Sequence, residues 1–450
     1  MSVDRIVVGA GLSGILAALE AAEHGDRVTL IDAAPRIGGA LSAAVVDGFI
    51  VDTGAEAFST ARGDMADLLD QWGLGDEIVQ PSGRPAHIAH ADGLKAMGPG
   101  VLGIPAGPDR LRSSGLSQEE INEALALDST PWFDSGSWSV AELVSSRLGT
   151  HVLERLVEPV VSAVFGAAAA ELAWDAVCPD LVDASRGAGS LLKGAERLRS
   201  GSEAVGQSVA SVRGGLHRIV EVAEQRLVSA GVTIQLGTAV SHVEQIRGGW
   251  VVGTSTERFV PQLTLAVGPS QLQHFLGACG WVDTGVPALR AAPSRTVVAS
   301  VDSEALDDEP FGTGVLIAKD YGGEVKALTH MNAKWQWWRD VLPPHRHLVR
   351  LSMSDLTVPP EDVRASVAAT LSSLAGVEPA GIRALVVNDW PDTLSTIGPG
   401  ATETLADLVN SAKLRGLDIR GAGIPGNGLL RIATDHYSRQ IQESAYVAVH

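Results

Sequence analysis

The chain opens on a short apolar run over residues 5–8, whose lack of alternation predicts a strand covered on both faces. A glycine-rich turn follows. Next come an Ala- and Leu-rich stretch that predicts a helix over about 13–24, and a second apolar run, Arg27–Ile31, ending at Asp32. Strand, helix and strand in this order predict a βαβ unit. Residues 41–53 read as a hairpin turning at Asp47-Gly48, and a helix is expected over about 63–72. Breaks at Gly98-Pro99-Gly100, Pro105 and Pro108 precede helical patterns over 140–148 and 151–165. Gly214-Gly215-Leu216 begins an amphipathic helix running through Leu227. Strands are expected over 232–236, 238–243, 249–252 and 263–267. Residues 294–355 alternate as strands around one helix at 332–340. The chain then returns to a buried strand, a glycine-rich turn and a last helix from about Leu430.

These patterns divide the chain into a discontinuous α/β domain (1–80, 205–285 and 386–450), a mostly helical insertion (81–204) and a second domain on a mixed sheet (286–385). A length of 450 residues exceeds one simple core, and 45% hydrophobic residues fit a globular chain. The net charge of −19 argues against nucleic acid, which needs a basic surface. It leaves a small anionic substrate open, because screening confines each charge to about 8 Å. Cys178 and Cys279 lie far apart without metal or disulfide spacing, so no metal is expected and a reducing cytoplasm fits. Ser2-Val3-Asp4-Arg5 leads directly into a strand, so no signal peptide is expected. The uncharged stretch over residues 159–170 is too short to span a bilayer, which leaves peripheral membrane contact open.

The first turn, Gly9-Ala10-Gly11-Leu12-Ser13-Gly14, is a G-x-G-x-x-G between strand and helix, the context that gives the pattern meaning. Gly9 allows the tight turn, Gly11 lets the backbone reach a pyrophosphate, and Gly14 lets helix and sheet pack closely. The helix N-terminus offers N–H groups and partial positive charge to the phosphates. Asp32 is placed to accept ribose hydroxyls, with Ala33 beside it. NAD and FAD share this fingerprint. Arg36 near Gly38-Gly39 then offers a cation and bare backbone as a second phosphate anchor. Gly54, in Asp52-Thr53-Gly54-Ala55-Glu56-Ala57-Phe58, offers close approach where a flavin's ribityl chain and ring would lie.

With these motifs the chain resembles the flavin amine oxidase superfamily, which includes monoamine oxidases, phytoene desaturases and protoporphyrinogen oxidases. The resemblance implies FAD and a Rossmann-like FAD-binding domain. It assigns Val240 to the adenine through its backbone, and Trp390 and the closing Gly426-Asn427-Gly428-Leu429 to the flavin ring. A helix starting there would aim N–H groups at the ring's N1 and C2=O. Ala40 departs from relatives that carry Arg or Lys after the Gly-Gly pair, which shifts phosphate binding toward Arg36.

Within the superfamily, the segment from Gly149 through Glu154-Arg155-Leu156-Val157-Glu158-Pro159 resembles the porphyrinogen oxidases, particularly their soluble Gram-positive branch. So does Lys326-Ala327-Leu328-Thr329-His330 with Lys334-Trp335. The resemblance implies oxidation of coproporphyrinogen III to coproporphyrin III in haem biosynthesis, with dioxygen as acceptor, hydrogen peroxide as by-product and hand-off to a ferrochelatase. Protoporphyrinogen IX is the alternative substrate. Another flavin amine oxidase, or a catalytically silent FAD- and tetrapyrrole-binding protein, is the further alternative. Four propionates on an apolar ring call for cations. Lys326, His330 and Lys334, spaced by four, would share one face of a continuous strand.

Overall fold

The computed structural model describes residues 3–132, 137–199, 208–281, 290–421, 424 and 427–449, with side chains to 442. Gly426 therefore lies outside the described residues. A parallel sheet of five strands forms around the first turn, in the order Thr233–Gln235, Arg27–Ile31, Asp4–Val8, Gln262–Leu265, Leu417–Ile419. Counted along the chain this is 3-2-1-4-5, the doubly wound order, and the direction of winding reverses beside Asp4–Val8. The two central strands are apolar without alternation because helices cover both faces. Helix Leu12–Glu23 is buried through Ile15, Leu16 and Leu19 on one side, and helix Pro269–Ala278 through Leu272 and Phe275 on the other.

Three stretches far apart in sequence make this domain, and a buried ionic network ties them. Arg420 donates both terminal nitrogens to the Glu20 carboxylate at 2.8 Å and its Nε to Asp418 at 2.6 Å. Arg439 of the last helix, Leu429–Val449, meets the other oxygen of Asp418 at 2.8 Å. Burial opposes it, but Arg420 and His436, 3.4 Å away, hold Glu20 below the ordinary carboxylate range.

The second sheet has seven strands, in the order Ile382–Thr396, Arg290–Asp302, Arg346–Met353, Val325–His330, Gly314–Ile317, His87–His90, Gly93–Ala96. One face packs on helix Pro360–Ala375 through Val363, Val367 and Leu371. The sheet departs from the expected division of the chain at two places. The hairpin at 87–96, expected inside the helical insertion, supplies the two terminal strands. The boundary expected at 386 falls inside strand Ile382–Thr396, which pairs along its length with Arg290–Asp302. Edge pairing, which no local pattern encodes, recruits both. Pro293 and Pro391 sit at the register shift between these long neighbouring strands, where a missing N–H is tolerated.

The helical insertion packs around its own core, from Leu111 and Leu143 to Leu192. Arg147, 3% exposed, staples it by donating to the carbonyls of Asp128, Thr130, Pro131 and Gly189. The Glu154–Pro159 stretch holds a π turn, Leu153–Val157, before helix Glu158–Phe165. Arg155 leaves this turn toward Asp92 at 3.0 Å, while the Glu158 carboxylate accepts the Ala169 N–H at 3.1 Å.

Candidate cofactor cleft and active site

A cleft of about 380 Å³ opens at the carboxyl end of the parallel sheet, where the winding reverses. Gly9, with φ +99°, turns the chain out of the first strand; a Cβ there would lie 2.3 Å from the Ala266 carbonyl oxygen. A Cβ on Gly14 would lie 1.8 Å from the Gly9 oxygen. Gly11 differs: a Cβ would meet nothing nearer than 3.9 Å and would project into the cleft. Leu12 and Ser13 also line it, at a helix start that no side chain caps and no acidic residue neutralises. The first intrahelical bond runs from Ile15 N–H to the Gly11 carbonyl, so the amides before it are available to an anion.

Asp32 accepts the N–H groups of Ala10 at 2.6 Å and Ala34 at 2.7 Å, which fixes its carboxylate at the cleft wall. Its own carbonyl accepts Thr238 N–H at 2.9 Å and so hangs the Thr238–Ala239–Val240 segment along the cleft. This segment was expected to begin a strand, but the small sheet starts at His242 and leaves Val240 in the lining loop. Gly38 N–H donates to the Ala10 carbonyl at 2.7 Å, and a Cβ on Gly39 would lie 2.9 Å from the Gly11 Cα. The Gly-Gly pair thus lets two loops touch as well as baring backbone. Gly38, Gly39, Ala40 and Ala33 all line the cleft.

Among the described residues no Lys or Arg lines the cleft. Arg36 turns its guanidinium onto the carbonyls of Ile37 and Gly39 at 3.3 and 3.1 Å. A diphosphate here would rest on backbone amides and the helix dipole. Gly54 also departs from the expected open approach: its Cβ direction is filled by the Ala40 oxygen at 1.9 Å and the Trp390 ring at 3.0 Å. Trp390 crosses from the second sheet, lines the cleft, and donates Nε1 to the Thr53 carbonyl at 3.1 Å. Leu429 lines it where the last helix begins; Gly428, at φ +97°, precedes it, and Asn427 bonds the backbone and hydroxyl of Ser395.

Lys326, His330 and Lys334 do not share a face. A bulge at Lys326 shifts the register between Val325 and Ala327, and the strand ends at His330. His330 turns to the covered face, 0% exposed, with Nε2 3.0 Å from His347 Nδ1. Burial, aided by His347 and Arg84, pushes it down to about 3, so it stays neutral. As pH falls from the ordinary histidine range toward 3, only the unfolded chain takes up that proton, and acid destabilises the fold. The helix expected at 332–340 breaks into Met331–Lys334 and Gln336–Val341, because extended Trp335 donates Nε1 to buried Glu56 at 2.6 Å. Lys334 is committed to the same carboxylate at 3.3 Å, and Arg350 reaches its other oxygen at 3.4 Å. Ala55 N–H donates to the Ala40 carbonyl at 2.8 Å, and Ala57 packs against the Trp335 cluster, so Glu56 and Ala57 brace the second sheet beside the cleft. Lys326 remains on the opposite face, half-buried, with Glu158 and Glu171 as its electrostatic neighbours; burial lowers its pKa.

Sequence reasoning missed Asp52 and Asp392. Asp52 accepts Leu216 N–H at 2.7 Å and His217 N–H at 3.0 Å, which holds the Gly214-Gly215 turn ahead of a helix that starts at Arg218. Asp392 lines the cleft and accepts Ser270 N–H at 2.9 Å. Each caps a helix start more than a hundred residues away, which leaves no local signal.

A doubly wound sheet with an uncapped glycine turn, a carboxylate fixed at the cleft wall and a tryptophan crossing from a second sheet has the form of a dinucleotide-binding protein. The chain belongs to the flavin containing amine oxidoreductase family, whose model matches residues 12–421, and is a flavin oxidoreductase. It is similar to a protein named coproporphyrinogen III oxidase from Mycobacterium tuberculosis (strain H37Rv), 29% identical over 448 residues, 93% of this chain and 93% of the relative. A protein of the same name from Staphylococcus aureus is 25% identical over 353 residues, 74% of this chain and 75% of the relative. A solved structure from Exiguobacterium sp. 255-15, named as a protoporphyrinogen oxidase, superposes with TM-score 0.81 at 22% identity, covering 98% of this chain and 99% of its own. Cyclohexylamine oxidase from Brevibacterium oxydans does so with TM-score 0.67 at 17% identity, with 96% of each chain covered. These two likenesses concern the fold. Among the described residues no helix is long and apolar enough to cross a membrane, and no group of three or more His, Cys, Asp or Glu could hold a metal.

Proposed function

We propose that the protein oxidises coproporphyrinogen III to coproporphyrin III with FAD as cofactor and dioxygen as acceptor. Six electrons and six protons leave the substrate, and three dioxygen molecules become three hydrogen peroxide. The observation that carries the reading is the meeting, at Trp390, of the dinucleotide cleft with the sheet face that bears Lys326. The names of relatives matching 93% of both lengths support the substrate class. The open Gly11 cradle and the uncapped amides of Leu12 and Ser13 fit the diphosphate, Asp32 fits the ribose, and Val240 lies where the adenine would. Bound there, FAD supplies hydride acceptance and electron transfer to dioxygen.

The chain's own residues bind, orient and exclude. Lys326 has no salt bridge among the described residues and offers its ammonium to a substrate propionate, a charge-assisted contact worth about 1.5–3 kcal/mol. Trp390 shields the reacting side of the cleft, and Glu56, held ionised by Lys334 and Arg350, fixes the wall behind it. A ferrochelatase-type metal-inserting enzyme would take the product.

Heat-released cofactor from the purified yellow protein should be FAD by mass. Porphyrin fluorescence should rise faster from coproporphyrinogen III than from protoporphyrinogen IX; equal or reversed rates refute the substrate assignment. Lys326→Ala should retain flavin and lose about 10- to 100-fold in kcat/KM. Unchanged kcat/KM would remove Lys326 from the site.

A further inference from the structure

The sheet face that carries Trp390 is apolar at both ends and polar between. At one end Val298, Leu348 and Val386 pack with Trp335 and Val51. At the other, Ala292 and Leu394 pack on Phe165 of the helical insertion. Between these clusters the register sets Ser352, Thr296 and Asn388 side by side on consecutive strands. Ala327 continues the row, beside the bulged Lys326. With strands about 4.8 Å apart, the row from Ala327 to Asn388 spans about 14 Å. Alternation puts Asn388 on the same face as Trp390, two residues on, which lines the cofactor cleft.

Among the described residues, none of the Ser352, Thr296 and Asn388 side chains makes a hydrogen bond within the protein. Thr296 is nonetheless only 3% exposed, and the other two are half-buried. Polar side chains on the reverse face of the same strands are paired: Arg295 with Asp389 at 2.6 Å, and His330 with His347. Three neighbouring polar side chains that no described protein group engages, on the face that leads to Trp390, leave their oxygens for a ligand to use.

We propose that this row is the floor of the substrate site and that Asn388, Thr296 and Ser352 accept hydrogen bonds from the pyrrole N–H groups of the tetrapyrrole. The assignment rests on the functional reading above and adds to it the residues that read the ring's centre. The amide oxygen and two hydroxyls offer acceptors along one line, and the porphyrinogen presents N–H donors at its centre. Lys326, at the far end of the row, is then placed for a peripheral propionate, and Asn388 holds the edge of the ring that meets the flavin. Asn388 binds and orients substrate.

The test compares Asn388→Leu, Asn388→Asp and the double variant Thr296→Val with Ser352→Ala in the flavin-loaded enzyme. Asn388→Leu should keep wild-type flavin content and melting temperature while raising KM for coproporphyrinogen III about tenfold, with a smaller change in kcat. Asn388→Asp, which keeps an acceptor, should stay near the wild-type KM. The double variant should raise KM at least as much as Asn388→Leu and serves as the test if that variant fails to fold. A wild-type KM in Asn388→Leu or in the double variant, in an enzyme that does oxidise coproporphyrinogen III, overturns the floor and leaves the function standing. A flavin-bearing wild type that oxidises no porphyrinogen overturns the functional reading, and this assignment with it.

Discussion

Gly11→Val is expected to yield a folded protein that purifies with little flavin, whereas Gly14→Ala is expected to yield little folded protein. The two glycines stand three residues apart in one motif but answer to different demands. Gly11 has extended backbone at φ −70°, which valine adopts without strain, and its Cβ direction is open toward the cleft. The valine Cβ would meet nothing nearer than 3.9 Å, and the side chain would occupy cleft space assigned to the diphosphate. Crowding of this kind costs about 1–3 kcal/mol, or roughly 5- to 150-fold in flavin affinity. At Gly14 a methyl group would lie 1.8 Å from the Gly9 oxygen, so either the helix or the first turn must move. Flavin absorbance relative to protein absorbance, read with circular dichroism and a thermal melt, separates the two. A Gly11→Val protein carrying stoichiometric flavin would refute the placement of the phosphates.

Arg420→Ala should cost about 3–5 kcal/mol of stability, the usual consequence of leaving buried carboxylates without their cation. Among the described residues, Glu20, 6% exposed, would lose both guanidinium bonds and keep only His436 at 3.4 Å, while Asp418 would keep Arg439 alone. The loss should extend to flavin retention, since the network joins the glycine-turn helix to the last helix, which starts at cleft-lining Leu429. Replacing both partners, Glu20→Leu with Arg420→Met, should cost less than either single change, because no unpaired charge remains. The acid dependence has a definite sign. Glu20 titrates below its unfolded value, so its contribution is fully present above the ordinary glutamate range and is lost as pH falls below it. Denaturant unfolding at neutral and acid pH checks both points: Arg420→Ala should lose most of its deficit in acid. A deficit independent of pH would refute the ionic account.

Local pattern and composition were enough for the βαβ unit. Uninterrupted apolar residues over 5–8 and 27–31 require cover on both faces, and glycine spacing between them follows from steric limits that hold wherever that turn forms. The motif residues Gly9, Gly11, Asp32, Gly38, Val240 and Trp390, scattered over most of the chain, converge on one cleft. Their number in the sequence made that convergence legible. The candidate cations were not legible in the same way. Equal spacing of Lys326, His330 and Lys334 implies one face only if the strand is regular and continues. A bulge and a strand end, both set by pairing with Arg346–Met353, sent them to three different surroundings.

The sequence by itself thus determined that a dinucleotide fold begins this chain and which glycines shape its first turn, because those constraints act within a few residues. The tertiary structure alone decided what surrounds that turn. Arg36 folds back on its own loop, Gly54 is closed by Trp390, and Asp52 and Asp392 cap helices from a distance. The row of Ser352, Thr296 and Asn388 exists only through strand register. Each of these depends on pairing between residues far apart in sequence, and such contacts leave no period in the chain to read.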